Sequence, residues 1–276
     1  MLSYLRACAS ACKEKIQIGG GLMKLFHTYK ENELTKEAPL WLLIAEFLIG
    51  FIGLQLISLL IQMIILNTSL TEPQYEPLLL PLINLLTYGI TFGILLACFF
   101  CCIQKAFSKL IKELKSADTY IWAAVTFFAI ITFQIVMNFI LSFFSFTSNE
   151  NQDGINSMVL NQPVMCFFFI VIFGPIVEEL TYRFGLTSFL AKKNKILGII
   201  LPAIIFGFIH FSWEWIKPFN LSLLLNELAN LPIYIGCGLI FGFFYLREGK
   251  ISVTILAHMA MNLYSFLQIL AINLIK

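Results

Sequence analysis

Charge is scarce in this chain. Of its 276 residues only 12% are Asp, Glu, Lys or Arg, while 59% are hydrophobic and the mean hydropathy is +0.86. A soluble domain carries about 25% charged residues, so the deficit excludes an ordinary water-soluble fold. Period-two alternation is also missing, which argues against a membrane β-barrel. There is no H-E-x-x-H, so the common zinc-protease helix is absent, and no G-x-S-x-G, so there is no serine elbow of that kind. Seven cysteines form no second C-x-x-C to complete a four-ligand site with Cys98 and Cys101. Cys98, Cys101 and Cys102 read as small apolar filler, with S-acylation the alternative. Cys8, Cys12, Cys166 and Cys237 show no pattern.

What is present is a series of apolar runs near the roughly 20 residues a span needs. They fall at about 40–66, 78–103, 121–146, 164–190, 196–211, 222–246 and 251–275. The expectation is an all-α polytopic membrane bundle of about seven to eight helices. Residues 1–39 form a charged N-terminal segment without the apolar core of a cleavable signal peptide. They read either as a surface helix presenting Leu22, Leu25 and Phe26 or as a partly ordered tail. Residues 40–120 read as spans without a chemical motif, and 121–276 as the domain that carries one. Gly238 and Gly242 form a G-x-x-x-G suited to close packing inside the bundle.

Basic residues sit in alternate loops. Lys105, Lys109, Lys112 and Lys115 follow the second run, Lys192, Lys193 and Lys195 the fourth, and Arg247 and Lys250 the sixth. Residues 67–77 and 147–162 have no Lys or Arg, and 212–221 has only Lys217. The positive-inside rule therefore expects a cytoplasmic N-terminus and a C-terminus on the opposite side. Nothing in this pattern expects a nucleic-acid partner. The expected surroundings are the lipid bilayer, and the oligomeric state is not legible.

Polar residues inside the runs carry the functional reading. Glu178 and Glu179 are adjacent in an apolar segment, with Arg183 four residues on. A single charged side chain at bilayer depth costs roughly 2.5–3.5 kcal/mol on insertion scales, so such a pair implies an enclosed polar site. At 1.5 Å per residue, Glu178 lies ~18 Å above the end of its run and His210 ~21 Å above the start of its own. His258 and Asn262 lie ~10 and ~16 Å above the start of the last run and share one helix face. Glu179 and Arg183 taken alone read as an i,i+4 ion pair, and Glu46 and Glu227 read as interfacial. The convergence of Glu178, His210, His258 and Asn262 suits amide hydrolysis. A glutamate and a histidine can deprotonate water and reprotonate a leaving amine, while a histidine and an asparagine can donate to an oxyanion. The same groups could hold zinc through Glu178, His210 and His258.

Glu178-Glu179-Leu-Thr-Tyr-Arg183 resembles the E-E-x-x-x-R motif of the CPBP intramembrane proteases. That family includes the type II CAAX prenyl endopeptidases and the abortive-infection and bacteriocin-immunity proteins. Phe206-Gly-Phe-Ile-His210 is similar to the family's F-x-x-x-H, and His258-Met-Ala-Met-Asn262 to its H-x-x-x-N. The resemblance covers about 164–265 and implies a helical bundle with a cavity inside the membrane. It implies Glu178 and His210 as the water-activating pair, His258 and Asn262 as oxyanion donors, and Glu179 and Arg183 as the group that positions Glu178. The expected activity is endoproteolysis of a membrane-associated or lipidated peptide or protein. No metal is expected to be obligatory, with Zn2+ the alternative. Two other readings draw on the same pattern. A catalytically silent immunity or scaffold protein shares all of it, and a proton-coupled transporter would use the same acids as a relay.

The loop charges give a direct test. A cysteine placed within 104–118 should react with an impermeant thiol reagent only from the cytoplasm, and one within 147–162 only from outside. Reversed labelling would remove the basis for comparing residue depths.

Overall fold

The computed structural model describes residues 32–144, 146, 149–216 and 218–275. Leu22, Leu25 and Phe26, with Cys8 and Cys12, lie outside them. Among the described residues six helices are long and apolar enough to cross a membrane: α1 (Leu40–Ile65), α2 (Pro73–Cys102), α4 (Ala117–Ser142), α6 (Pro163–Ala191), α8 (Leu221–Glu248) and α9 (Ile251–Ile275), the last over Ile251–Ile272. Between them lie α3 (Ala106–Leu114), α5 (Glu150–Asn161) and α7 (Lys195–Ile209). The polytopic helical bundle read from composition is the observed architecture.

Two elements differ from expectation. The fifth apolar run gives a helix of only 15 residues, ~22 Å long at 1.5 Å per residue, against a hydrocarbon core of ~30 Å. It ends at Ile209, and His210 caps it with helical φ of −94° and ψ of 0°. Among the described residues no helix follows until Asn220, whose side chain accepts from the Leu223 amide and starts α8. The second difference is α5, a polar helix where the sequence suggested only a loop. Asn149 caps it by accepting from the Gln152 amide, and Glu150 and Asp153 occupy the first turn, where the helix dipole favours acids.

Toward the end of the bundle that carries the basic loops, the interior is packed with apolar side chains. Leu34, Leu43, Leu95, Phe99, Phe184 and Tyr245 form one buried cluster there. Outside it, Lys250 pairs with Asp118 at 2.8 Å, and Ser252 Oγ donates to Glu113 at 2.6 Å. Burial pushes the Glu113 carboxyl above its ordinary range, against the pull of its hydrogen bonds from Ser252 and the nearby Lys250 charge. Gly249, in the left-handed region at φ 63°, stops α8 and turns the chain into α9.

Close backbone approach sets the helix spacing near the motif. Gly238 packs against Ala203 and Gly242 against Ile199, so the G-x-x-x-G faces α7 inside the bundle. Glu46 is not interfacial: it is 0% exposed, and neither carboxylate oxygen has a hydrogen-bond partner. The helix bearing it packs flush on α6, which removes the water the sequence reading assumed. A Cβ on Gly185 would lie 2.9 Å from the Phe47 nitrogen and 3.0 Å from the Leu43 oxygen. Those atoms are backbone and cannot swing aside, so Gly185→Ala should destabilise the protein by about 1–3 kcal/mol. Gly93→Ala, with nothing within 4 Å of its Cβ, should leave stability unchanged or raise it by roughly 0.5–1 kcal/mol. Thermal unfolding of both variants in detergent checks this; equal melting temperatures would refute the packing argument.

Candidate active site

The site begins with the backbone of α6. Two stretches of this helix, Phe167–Phe173 and Glu179–Thr187, widen into π-helix. Such turns carry i→i+5 hydrogen bonds and are frequent at functional sites. The second stretch carries Glu179 and Arg183, and the first sets the backbone below Gly174 and Pro175.

Glu179 and Arg183 are fully enclosed. Glu179 is 0% exposed, and Nη1 of Arg183 lies 3.2 Å from its Oε1. Nη1 has no hydrogen-bond partner, so this contact is charge pairing off the hydrogen-bond axis. The guanidinium is also held between two aromatic faces, 4.7 Å from the Phe206 ring and 4.9 Å from the Phe241 ring. Cation–π contacts of this kind strengthen when desolvated.

His258 on α9 links the two glutamates. Its Nδ1 lies 3.0 Å from Oε1 of Glu179, and its Nε2 lies 3.7 Å from Oε2 of Glu178. A carboxylate only accepts, so Nδ1 carries the proton toward Glu179. The ring stacks on Phe241 with centroids 4.8 Å apart. The connection between the ion pair and Glu178 therefore runs through this imidazole. Glu178 itself, 14% exposed at its side chain, faces a cavity of about 210 Å³.

His210 reaches the same cavity from the end of α7. Its Nδ1 is 2.8 Å from the Phe206 carbonyl. A carbonyl cannot donate, so Nδ1 holds the hydrogen and a neutral ring presents a basic Nε2. Tyr234 stacks on the ring at 4.6 Å and 14°. Its hydroxyl donates to Asn149 at 3.1 Å, and Asn149 donates to the His210 carbonyl at 3.1 Å. Glu227 is 2% exposed, not interfacial, and its two oxygens accept from the Glu150 and Ser212 amides, both at 2.9 Å. This carboxylate ties the start of α5 to the segment after His210. Burial, with Glu214, Asp153 and Glu227 nearby, pushes the Glu150 carboxyl above its ordinary range.

Asn262 lines the cavity and donates one amide hydrogen to the Ile170 carbonyl at 2.8 Å, inside the first widened stretch. Its second amide hydrogen remains available to a guest. Glu178, His210, His258 and Asn262 thus surround one space, with Glu179 and Arg183 one layer behind. Asn149, Tyr234 and Glu227 were not read as site residues. Their signal was an Asn cap followed by acids, with Ile155, Met158 and Val159 at helical spacing. Glu178, His210 and His258 are donor types that zinc accepts. Among the described residues, however, no three His, Cys, Asp or Glu side chains gather as a metal-holding group. Nδ1 of His258 is held on Glu179, and its Nε2 faces Glu178 across 3.7 Å.

The class that fold and site define is a multi-pass helical protein with an acid–histidine centre at membrane depth. Residues 160–264 match the family model described as type II CAAX prenyl endopeptidase, Rce1-like, which bears out the resemblance read from the three motifs. The chain is 26% identical over 161 residues to the membrane-embedded CAAX protease MroQ of Staphylococcus aureus (strain USA300), covering 56% of this chain and 61% of that protein. It is 29% identical over 119 residues to the putative membrane peptidase YdiL of Bacillus subtilis (strain 168), covering 42% and 41%. An uncharacterized protein of Mycoplasma capricolum is 28% identical over 136 residues, covering 46% and 36%. The matches thus span at most 61% of these relatives' own length. No solved structure matches.

Breaking one half of the buried pair exposes its role. Arg183→Ala should destabilise the protein by about 3–5 kcal/mol, because the Glu179 charge is left uncompensated in a dry site. Adding Glu179→Gln should recover part of that loss. The yield and melting temperature of monodisperse protein in detergent provide the readout, and an Arg183→Ala variant as stable as the parent would contradict the assignment.

Proposed function

We propose that this protein is an intramembrane endopeptidase that hydrolyses a peptide bond in a membrane-associated or lipidated peptide or protein. The observation that carries the reading is the single cavity that Glu178, His210, His258 and Asn262 share. It is supported by the family match over 160–264, which contains all four residues.

In this mechanism the Glu178 carboxylate takes a proton from a water held also by Nε2 of His210. The resulting hydroxide adds to the scissile carbonyl. The second amide hydrogen of Asn262 donates to the oxyanion that forms, and so does Nε2–H of His258 acting as an imidazolium whose Nδ1 hydrogen stays on Glu179. Collapse of the tetrahedral species breaks the C–N bond, and Glu178 returns the proton to the departing nitrogen. Glu179 and Arg183 act through His258, holding its ring so that Nε2 faces both Glu178 and the reacting carbon. We read the hydrolysis as independent of a metal, because Glu178 tied up as a ligand would leave only Glu179, already paired with Arg183, as a base. The basic loops lie on the cytoplasmic side in this reading, as the positive-inside rule expects.

Cleavage of a membrane-inserted peptide by purified protein in liposomes tests the proposal. Glu178→Gln and His210→Ala should abolish cleavage while leaving the protein in the membrane. Asn262→Ala should slow kcat by about 10²–10³, the typical effect of losing one oxyanion donor. Full activity in Glu178→Gln would end the general-base assignment. Stoichiometric zinc whose removal stops cleavage, and whose return restores it, would overturn the metal-free reading.

A further inference from the structure

A second cavity of about 340 Å³ adjoins the one at Glu178. Gln134, Gln152, Tyr234, Ser265 and Ile269 line both, forming a neck between them. Beyond the neck the polar walls include Asn138, Asn230 and Gln268, and among the described residues no Asp, Glu, Lys or Arg lines that outer part. The direction is set by the helices. Asn138 lies four residues before the end of α4 at Ser142, ~6 Å from that end at 1.5 Å per residue, and α4 begins just after the basic loop at Lys115. The channel therefore runs from Glu178 toward the face opposite the basic loops. In the other direction lies the buried apolar cluster around Leu43, Phe99, Phe184 and Tyr245.

Gln134 is the informative side chain. It interrupts the apolar run of α4, and among the described residues its amide nitrogen reaches two sulfurs, Cys237 Sγ at 3.6 Å and Met261 Sδ at 3.8 Å. Sulfur is a weak acceptor, and a carboxamide inside an apolar helix is costly unless it is properly bonded. A strong acceptor at the neck would complete it. Carboxamides both donate and accept, as a peptide backbone does, so a channel walled with them suits main chain whatever the sequence. A charged side chain in the same space would have no partner of opposite sign.

Resting on the hydrolase reading, we infer that this channel holds an extended, uncharged stretch of the substrate polypeptide. The stretch enters from the face opposite the basic loops, and Gln134 donates to one of its main-chain carbonyls at the neck. The inference names a substrate class by chemistry: chain segments free of charge on the side of the cut that lies in the channel.

The test uses the full chain in oriented vesicles with Glu178→Gln, so that the probe is not consumed, and Ser265→Cys at the neck. A small, uncharged, strongly hydrophilic and therefore impermeant thiol reagent should modify residue 265 only when added on the side opposite the basic loops, as read by mass spectrometry. Capped, uncharged peptides should slow that modification at least tenfold, and the same peptides with Lys or Asp interspersed should not. Gln134→Met should raise the peptide concentration needed for protection about tenfold, the effect of one lost hydrogen bond. Labelling from the basic side, equal protection by charged and uncharged peptides, or an unaltered Gln134→Met would each overturn the inference. Should Gln134→Met fail to fold, the first two readouts decide the matter without it. The hydrolase reading fails separately, if protein with Glu178 intact cleaves none of the peptides that protect.

Discussion

A guanidinium in a dry protein interior must be paired, and the rest of this site follows from how Arg183 is paired. Glu179 supplies the opposite charge at 3.2 Å, and Phe206 and Phe241 supply two aromatic faces. Those contacts draw on three helices, α6, α7 and α8. His258 adds a fourth, α9, through its bond to the same Glu179 oxygen. Removing either charge would leave the other stranded at a cost of several kcal/mol. The cluster therefore acts as a registry point. Helices that slip past one another separate groups that cannot be solvated elsewhere.

With that registry fixed, the remaining geometry has little freedom. Phe206 lies over Arg183 and also supplies the carbonyl that sets the His210 tautomer. His258 is oriented by Glu179, so its other nitrogen is turned toward Glu178. The short α7 ends where His210 must face the cavity, and Glu227 and Asn149 secure the non-helical segment that follows. His258 and His210 are thus each held by a neighbour that is itself buried, Glu179 and Phe206, as preorganised electrostatic catalysis requires.

Much of this was legible in the sequence, and the reasons are physical. Ionisable groups are rare in apolar helices, so Glu178, Glu179, Arg183, His210 and His258 stood out without reference to any partner. Their depths followed from helical rise. What was not legible depended on contacts between segments distant in sequence. Glu46 looked interfacial because its run begins nearby, yet flush packing against α6 buries it. The widening of Glu179–Thr187 leaves no compositional trace. Residues 150–161 were passed over because a polar stretch between spans reads as loop, although Asn149 and the acids after it form a proper helix start. Gln134 drew no notice because one amide in an apolar helix is commonplace, and its meaning appears only beside Cys237 and Met261.

The central claim is that Glu178 activates water and does not itself attack the substrate. Single-turnover cleavage in H2(18)O, with enzyme in excess of peptide, tests that most directly. The account predicts one 18O atom in the new carboxylate of every product molecule from the first turnover. Unlabelled product in the first turnover would place an oxygen of the Glu178 carboxylate in the new bond, and would contradict the account.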